Sequence, residues 1–455
     1  MRRNTLSDLK YLIFDLPEEI KKLESGEDYL AAKDLIEWWL RKDIPEYMRK
    51  RLQIELLRIE RLPFAYPFTF EDALKEAKQK IRDFTDEEFL SYFKRGFIDF
   101  IRYDSKILVE RRFIDNLGFM FPEIKGRIIE SPDSVKAREF LEERVRELIA
   151  GDKPKNWYVR ARITYWFKYP VGRKVRLWLP MPRNSIAQSS AQILGVSHED
   201  AIISDNQILQ RTVSFSGYDT EEFWVEFCYH ISEQFSPELF NSFCEKKFKS
   251  NGDTEKIEEF LEEKAPHLVF TPSLKIIAKD ITKSDDTFIE RIKNVYDFVT
   301  LKVRYSYVKP YIFYDNIPQF VAENLRGDCG FQALLFIALC RILGIPARWQ
   351  SGWFITPFGA SPHDWAVAYF GKYGWRPVDL SFGGKKKDDL SRRMFYLGNL
   401  DGCRMIANDE FMCDFYPETN FIREDPYDNQ VGEAEYENGK AYGEHKIEVL
   451  EFREA

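Results

Sequence analysis

Three residues of the types that cooperate in nucleophilic catalysis follow one another in the second half of the chain. Cys329 lies in the run Arg-Gly-Asp-Cys-Gly, His363 follows 34 residues later, and Asp379 comes next in a strand-like segment. A thiolate can attack a carbonyl carbon, an imidazole can hold and move the proton, and a carboxylate can fix the tautomer of the imidazole. The functional interpretation depends on whether these three side chains meet.

Cys329 is predicted to lie on the first turn of a helix that spans residues 329–343. Asp328 is a good N-cap, Gly344 is a good C-terminal stop, and Pro346 cannot continue the helix. The unpaired N–H groups and the positive end of the helix dipole favour a thiolate there, so we expect the pKa of Cys329 to be lowered. The same N–H groups can donate to an oxyanion.

A buried, inert thiol packed at a helix start is the alternative interpretation of Cys329. Gly327 and Gly330 on either side favour the catalytic one, because they remove bulk where the backbone of a substrate would approach. Cys340, in the apolar part of the same helix, is predicted to be a small core residue.

His363 is predicted at the edge of a loop, residues 356–362, where it begins a strand over 364–370. Asp364 is a poor partner for its imidazole, because successive side chains of a strand point to opposite faces. A histidine that only caps the strand is the alternative.

The returning strand, residues 375–380, carries the better partner, Asp379. A three-residue loop over 371–373 would put Asp379 opposite Trp365 and diagonal to His363, within reach of the imidazole. A two-residue turn would put it on the wrong face. The sequence therefore predicts the three-residue loop or an equivalent bulge, and a generic surface aspartate remains the alternative.

Composition limits the class of protein. The chain has 455 residues, 44% hydrophobic and 31% charged, which suggests a soluble globular protein of several domains. The net charge of −8 argues against nucleic acid as the main partner. The longest apolar run, residues 333–340, is too short to cross a bilayer, so we expect no membrane span. Six cysteines without a CxxC pair and no visible secretion signal predict a reducing, cytoplasmic location.

The hydrophobic period divides the chain into four parts. Residues 1–154 are predicted to be a helical N-terminal domain, whose clearest helix begins at Ser131-Pro132-Asp133. Residues 155–270 are predicted to be a β-sandwich-like domain with strands at 157–167, 174–179, 208–216 and 222–231. Helices are expected at 254–264, 273–280 and 286–301, and residues 271–400 form the catalytic core. Residues 401–455 are an acidic β extension, expected to add strands or to cover one side of the groove.

The joint pattern of four motifs resembles the transglutaminase-like superfamily, in its bacterial branch. The motifs are Gly327–Gly330, Leu343–Arg348, His363–Val367 and Gly374–Asp379. The resemblance covers about residues 271–400. It implies an α+β protein with a papain-like core, in which a helix packs on an antiparallel sheet. The helical and sandwich-like domains precede this core in the sequence. The resemblance also implies that Cys329 is the nucleophile, His363 the general base and acid, and Asp379 the residue that orients the imidazole.

The resemblance further suggests an aromatic residue that helps to hold the oxyanion. Tyr305 is the preferred candidate over Tyr307, and Gln319 is an alternative of the papain kind. Trp353 and Trp365 are candidates for lining a substrate groove, although core positions are equally compatible with their chemistry. No calcium-loop signature is visible.

The predicted reaction is attack of Cys329 on an amide to give a thioester, followed by hydrolysis, so the substrate is expected to be a peptide or protein. Transfer to an amine acceptor, as in a protein-glutamine transglutaminase, is one alternative. A catalytically retired protein-binding module is another. A metal site built from Asp328, Cys329, His363 and Asp379 ranks below catalysis, because the set is poor in sulfur and nitrogen. We expect no cofactor, and the sequence does not predict the oligomeric state.

Overall fold

The computed structural model describes residues 6–245 and 258–455. The first third contains helices and a small antiparallel sheet that the sequence did not predict, with strand order β1-β3-β2. The predicted helix start at Ser131 is confirmed, since its hydroxyl accepts a hydrogen bond from the Ser134 N–H. The helices are α1 (Glu18–Ser25), α2 (Tyr29–Leu40), α3 (Glu46–Ala65), α4 (Phe70–Lys80), α5 (Asp86–Lys94), α6 (Phe113–Met120), α7 (Pro122–Lys125) and α8 (Pro132–Ile149), and the strands are β1 (Phe68–Thr69), β2 (Phe100–Tyr103) and β3 (Lys106–Val109).

Strands of the next segment begin where the period of the sequence changes. Two of them, β6 and β7, were not predicted. The elements are β4 (Asn156–Trp166), β5 (Lys174–Pro180), β6 (Gln188–Val196), β7 (Ile202–Ile203), β8 (Thr212–Tyr218), β9 (Phe223–Ser232) and α9 (Pro237–Glu245). Of the helix expected over 254–264, residues 254–257 lie outside the described residues, and a 3-10 turn spans Glu258–Leu261.

The core begins with two amphipathic helices whose predicted spans are close to the observed ones. Its elements are α10 (Pro272–Asp280), α11 (Phe288–Lys302), β10 (Arg304–Tyr305), α12 (Ile317–Asn324), β11 (Arg326–Gly327), α13 (Cys329–Ile342), β12 (Ala347–Thr356), β13 (Gly359–Tyr369), β14 (Trp375–Val378), α14 (Leu380–Gly384), α15 (Leu390–Phe395) and β15 (Arg404–Asn408). The antiparallel sheet has the order β14-β13-β12-β15.

The last segment supplies strands to the sandwich. These are β16 (Glu433–Tyr436), β17 (Gly439–Ala441) and β18 (Glu444–Glu454). One sheet has the order β17-β16-β5-β8-β7 and the other β18-β4-β9-β6, so both contain C-terminal strands. β18 pairs along nearly the whole of β4, from Trp166 opposite Glu444 to Trp157 opposite Glu454.

Helix α13 lies against one face of the core sheet. Twelve of its residues are buried, and Ala366 and Ala368 of β13 belong to the same apolar cluster. Trp365 and Val367, which alternate with them, belong to the cluster that fills the sandwich. The sheet is therefore covered by α13 on one side and by the sandwich on the other, which gives an α+β architecture with a helix packed on an antiparallel sheet. No helix within the described ranges is long and apolar enough to cross a membrane.

Candidate active site

Cys329 begins α13, as the sequence predicts. The Asp328 carboxylate caps the helix by accepting a hydrogen bond from the Phe331 N–H at 3.0 Å, and it also accepts one from the Tyr311 hydroxyl at 2.7 Å. Burial raises the pKa of Asp328 to about 6, against the effect of these donors. Since Asp328 occupies part of the first turn, fewer N–H groups are available to an oxyanion than an uncapped helix would offer.

The sulfur of Cys329 is hydrogen-bonded to a carboxylate that the sequence argument set aside. Sγ lies 3.2 Å from Oδ2 of Asp364. Burial, followed by the charges of Asp364 and Asp328, raises the pKa of the Cys329 thiol well above its usual value. The expectation of a lowered pKa is therefore wrong, because burial of the thiol, together with two nearby carboxyl groups, outweighs the helix terminus.

His363 and Asp379 form the pair that the register argument predicts. Nε2 of His363 lies 2.6 Å from Oδ2 of Asp379. Val378 pairs with Ala366, which places Asp379 across from Trp365, and the Phe370 N–H bonds to the Gly374 carbonyl around a three-residue loop. Because Nε2 faces the carboxylate, Nδ1 is the nitrogen left to exchange a proton with a nucleophile.

Asp379 is held by more donors than the sequence indicated. Arg404 of β15 donates to Oδ2 at 2.9 Å, and the Phe382 N–H and the Ser381 hydroxyl donate to Oδ1 at 2.9 and 3.2 Å. Burial opposes its ionisation, but the charges of His363 and Arg404 and the hydrogen bonds prevail and lower the pKa of Asp379. The carboxylate is thus ionised at neutral pH, and it caps α14 as well as orienting the imidazole.

The imidazole of His363 is neutral at rest. Burial lowers its pKa, and Asp379 offsets this effect only in part. His363 is 4% exposed, and its ring stacks on Phe382 with centroids 4.5 Å apart. A neutral imidazole can accept a proton from a thiol, as a general base requires.

The predicted loop-edge position of His363 is wrong. Strand β13 begins at Gly359, directly after a two-residue turn, so His363 lies inside the strand and pairs with Gly352. Thr356 pairs with Gly359, a tight reversal for which Gly359 adopts φ +147°. β14 pairs only with residues 366–369, so β13 has one free edge at His363 and Asp364.

The structure thus brings the three predicted residues into one region as two pairs rather than as one line of contacts. Among the described residues, Cys329 is bonded to Asp364 and His363 to Asp379, with no hydrogen bond between the sulfur and the imidazole. Alternation along β13 sends His363 to the sandwich side with Trp365, and Asp364 to the α13 side with Ala366. The sulfur must change partner before the imidazole can take its proton.

Tyr305 lies next to the nucleophile, whereas the side chain of Gln319 is hydrogen-bonded to other residues. β10 pairs in parallel with β11, which sets Tyr305 beside Gly327. Burial and then Cys329 raise the pKa of the Tyr305 phenol well above its usual value, so it remains a neutral donor. The Gln319 amide accepts from the Ser273 hydroxyl at 2.7 Å and donates to Glu323 at 2.5 Å.

Neither tryptophan proposed for the groove lines an open surface. Trp353 and Trp365 are both 0% exposed and belong to the cluster between the sheet and the sandwich. Their indole N–H groups donate to the Gln430 carbonyl at 2.6 Å and to the Gln350 side chain at 2.8 Å. The groove prediction is wrong for both residues, and the core alternative holds.

The glycines beside Cys329 are explained by packing within the protein rather than by a substrate. A Cβ at Gly330 would lie 2.6 Å from a ring carbon of Trp349 and 2.9 Å from Oδ2 of Asp364. A Cβ at Gly327 would lie 2.5 Å from Cβ of Phe331. The predicted reason for these glycines is therefore wrong, because protein atoms already fill the space.

Sequence reasoning missed several residues of the site. Arg404 and Gln430 are distant in sequence from the motifs, whereas Phe382 follows Asp379 closely, and tertiary contacts reveal the part that each plays. Lys385 lies 4.5 Å from the centroid of Phe382 and 5.7 Å from that of Tyr305, which places a cation beside the site. A basic residue shortly after Asp379 was a visible but unspecific signal.

A cavity of about 430 Å³ reaches the start of α13. Tyr311 and Asp328 form part of its wall, Arg61 and Phe64 of α3 another part, and Glu433 of β16 a third. It borders Asp328, the residue that precedes the nucleophile, but its wall does not include Cys329, His363 or Asp379. Within the described ranges, no three His, Cys, Asp or Glu side chains are grouped to hold a metal ion.

Several known proteins are similar to parts of this chain. The chain is similar to a proposed cysteine protease from Cytophaga hutchinsonii, at 17% identity over 66% of this chain and 92% of that one, with a TM-score of 0.40. It is also similar to the periplasmic domain of TgpA from Pseudomonas aeruginosa, at 12% identity over 55% of this chain and 94% of that one, with a TM-score of 0.28. No curated protein sequence matches the chain significantly. The model of the transglutaminase-like superfamily matches residues 275–380, a range that contains Cys329, His363 and Asp379.

Proposed function

We propose that the protein is a cysteine-dependent amide-bond enzyme that hydrolyses a peptide or protein amide through a thioester on Cys329. The observation that carries the proposal is the buried His363–Asp379 pair, with Nε2 and Oδ2 2.6 Å apart, in the superfamily segment that also places Cys329 on the first turn of α13. Burial and a salt bridge to Arg404 fix the carboxylate, so that the imidazole has one tautomer and one orientation.

The reaction begins when the Cys329 sulfur turns from Asp364 towards Nδ1 of His363. The imidazole takes the thiol proton as the sulfur attacks the amide carbon, and the carbonyl electron pair becomes an oxyanion. The Tyr305 hydroxyl and the Cys329 N–H are the proposed donors to that oxyanion. Collapse of the tetrahedral species breaks the C–N bond, and His363 returns the proton to the departing amine.

Water completes the cycle. His363 removes a proton from a water molecule, the resulting hydroxide attacks the thioester, and the sulfur leaves as a thiolate that regains a proton from the imidazole. Hydrolysis is favoured over amine transfer because water requires no second binding site. An amine acceptor would use the same thioester, so the two outcomes differ only in what reaches it.

The test is incubation of the full chain with a diverse peptide library, with and without a primary amine, followed by mass spectrometry. We expect cleavage or deamidation that is unchanged by the amine, and a loss of at least about 10³-fold in Cys329→Ala. Cys244→Ala, which removes another partly buried thiol, is the matched control and should keep full activity.

If the thioester intermediate is trapped, the residue that carries the acyl group is the nucleophile. Trypsin releases residues 327–341 as one peptide that contains both Cys329 and Cys340, so tandem fragmentation must assign the adduct to one of them. Incorporation of the amine into products would favour transglutaminase activity instead. A library that yields no product with the wild type, or equal products with Cys329→Ala, would contradict the proposal and favour a protein-binding role.

A further inference from the structure

Asp364 is the hydrogen-bond partner of the proposed nucleophile, although the sequence analysis gave it no catalytic role. Its Oδ2 lies 3.2 Å from Sγ of Cys329. The side chain is 7% exposed and points away from His363, its neighbour in sequence. The contact joins β13 to the first turn of α13, so it fixes where the sulfur points in the resting protein.

The other oxygen of Asp364 is held from the C-terminal segment. Gln430 donates from Nε2 to Oδ1 of Asp364 at 2.5 Å and to the backbone carbonyl of His363 at 3.1 Å. One amide therefore positions both the carboxylate that binds the sulfur and the backbone of the proposed general base. A donor with two acceptors on adjacent residues leaves the carboxylate little rotational freedom.

Further charges and hydroxyls face Asp364 from every element packed around it. Asp328 and the Tyr311 hydroxyl lie on the α13 side, with the hydroxyl 3.5 Å from Oδ2. Asp428, which accepts a hydrogen bond from Ser351, and Asp425 lie on the side of the C-terminal segment. Burial and then Asp428 and Asp328 raise the pKa of Asp364 well above its usual value.

The chain is shaped to allow this contact. Gly330 follows the nucleophile, and a Cβ there would lie 2.9 Å from Oδ2 of Asp364. A larger residue would push the carboxylate away from the helix start. The glycine also makes room for the Tyr311 hydroxyl and for Trp349, which a Cβ there would approach more closely than Asp364.

We propose that Asp364 is a positioning residue that holds the Cys329 thiol in a resting orientation, and that turnover requires the sulfur to leave Asp364 for Nδ1 of His363. The inference rests on the proposed function, since the second half of the movement matters only if Cys329 is a nucleophile. The step exchanges the hydrogen-bond partner of the Cys329 thiol, and no covalent bond forms or breaks. The thiol keeps its proton until it reaches the imidazole, and Asp364 gains and loses none.

The test uses Asp364→Asn in the full chain, with Asp428→Asn as the matched control. The introduced asparagine side chain can still accept from Gln430 through its oxygen, but it turns an NH₂ group, which can donate to a thiolate, towards the sulfur. Asp428→Asn removes a carboxylate that is hydrogen-bonded to Asp364 and does not itself contact the sulfur. Circular dichroism spectra of both variants must match the wild type before they are compared.

The readout is the rate of iodoacetamide labelling of Cys329 between pH 6 and 10, followed by tandem mass spectrometry of residues 327–341. We expect the midpoint of labelling to fall in Asp364→Asn. A fall of one pH unit multiplies the thiolate about tenfold at pH 7, and since a less basic thiolate is less nucleophilic, the labelling rate should rise about threefold. Asp428→Asn should shift the midpoint less.

An unchanged midpoint in Asp364→Asn, or an equal shift in both variants, would overturn the proposal, because the direct contact would then have no effect of its own. The labelling needs no substrate, so it can succeed where the peptide library fails. A shifted midpoint together with full amidase activity in Cys329→Ala would retain the contact and reject the proposed function.

Discussion

Asp379→Asn is the sharpest test of the proposed proton relay. Asp379 accepts four hydrogen bonds, from His363 and Arg404 at Oδ2 and from Phe382 and Ser381 at Oδ1. An asparagine has only one oxygen. If that oxygen stays with the helix cap, its NH₂ group faces Nε2 of His363 and the Arg404 guanidinium.

The expected effect on activity follows from the tautomer. An NH₂ group opposite Nε2 requires that nitrogen to accept, which moves the proton of the neutral imidazole to Nδ1. Nδ1 then cannot take the proton of the thiol. We expect kcat to fall by about 10³–10⁴-fold, the range for a triad whose orienting carboxylate is replaced by its amide.

Asp379→Asn is also expected to lower the free energy of unfolding by a measurable amount. Arg404 and Asp379 are both 0% exposed, and the variant loses the hydrogen bond between them, while Arg404 keeps its salt bridge to Asp401 at 2.9 Å. Removing one hydrogen bond to a buried charge costs about 1.5–3 kcal/mol, and removing a whole partner of a buried ion pair about 3–5 kcal/mol. Because Asp401 remains, we expect a free energy of unfolding about 3 kcal/mol lower.

The assay combines turnover of the substrate found in the peptide library with urea denaturation followed by circular dichroism. Asp388→Asn, an exposed aspartate in the same segment, is the matched control and should alter neither quantity. A folded Asp379→Asn variant with activity within tenfold of the wild type would refute the assignment of Asp379 as the residue that orients His363.

Three further predictions concern the packing around the site. His267 is 0% exposed, its Nε2 lies 2.6 Å from the Tyr427 hydroxyl, and burial lowers its pKa to about 3. The stability that its neutral ring contributes is complete above pH ~6.5 and is lost as the pH falls towards 3. Between pH 7 and pH 5, the free energy of unfolding measured by urea titration should therefore fall by about 2 kcal/mol more in the wild type than in His267→Gln. Burial raises the pKa of Glu110 to about 7; the cost of ionising it is absent below pH ~4.3 and complete above pH 7, so Glu110→Gln should stabilise the fold at pH 8 by up to about 3 kcal/mol. Gly330→Ala would place a methyl group 2.6 Å from Trp349 and should cost about 1–3 kcal/mol in thermal or urea unfolding.

Each of these predictions has a clear contrary result. Parallel pH profiles for the wild type and His267→Gln would mean that the ring is not buried as a neutral group. Equal effects of Glu110→Gln at pH 4.5 and pH 8 would show that its carboxyl group titrates normally. A Gly330→Ala variant as stable as the wild type would mean that the start of α13 has room for a side chain, against the packing described above.

Local signals predicted the helix of the nucleophile well. Asp328, Gly344 and Pro346 mark its ends by chemistry that acts within a few residues, and α13 spans Cys329–Ile342. The pairing of His363 with Asp379 was also predictable, because a three-residue loop determines the register of both strands. These are short-range features, and the information for them lies in adjacent residues.

The position and electrostatics of the nucleophile were not predictable in the same way. Alternation correctly sent Asp364 to the face opposite His363, yet that face is the one on which α13 begins. The helix terminus alone implied a lowered thiol pKa, but burial beside Asp364 and Asp328 raises it. The net effect depends on charges brought together by packing, which no single segment contains.

Local sequence signals were sufficient to predict the residue types of the site, the helix that presents Cys329, the strand register that joins His363 to Asp379, and the resemblance that these motifs carry. Contacts between distant segments were needed to see that Arg404 and Gln430 reach the site, that Trp353 and Trp365 are core residues, and that the sulfur is hydrogen-bonded to Asp364. The two kinds of feature differ in the distance along the chain over which the interactions that produce them act. Caps, turns and alternation act over a few residues of chain, whereas burial and Coulomb interactions act through space between segments whose approach depends on the whole fold.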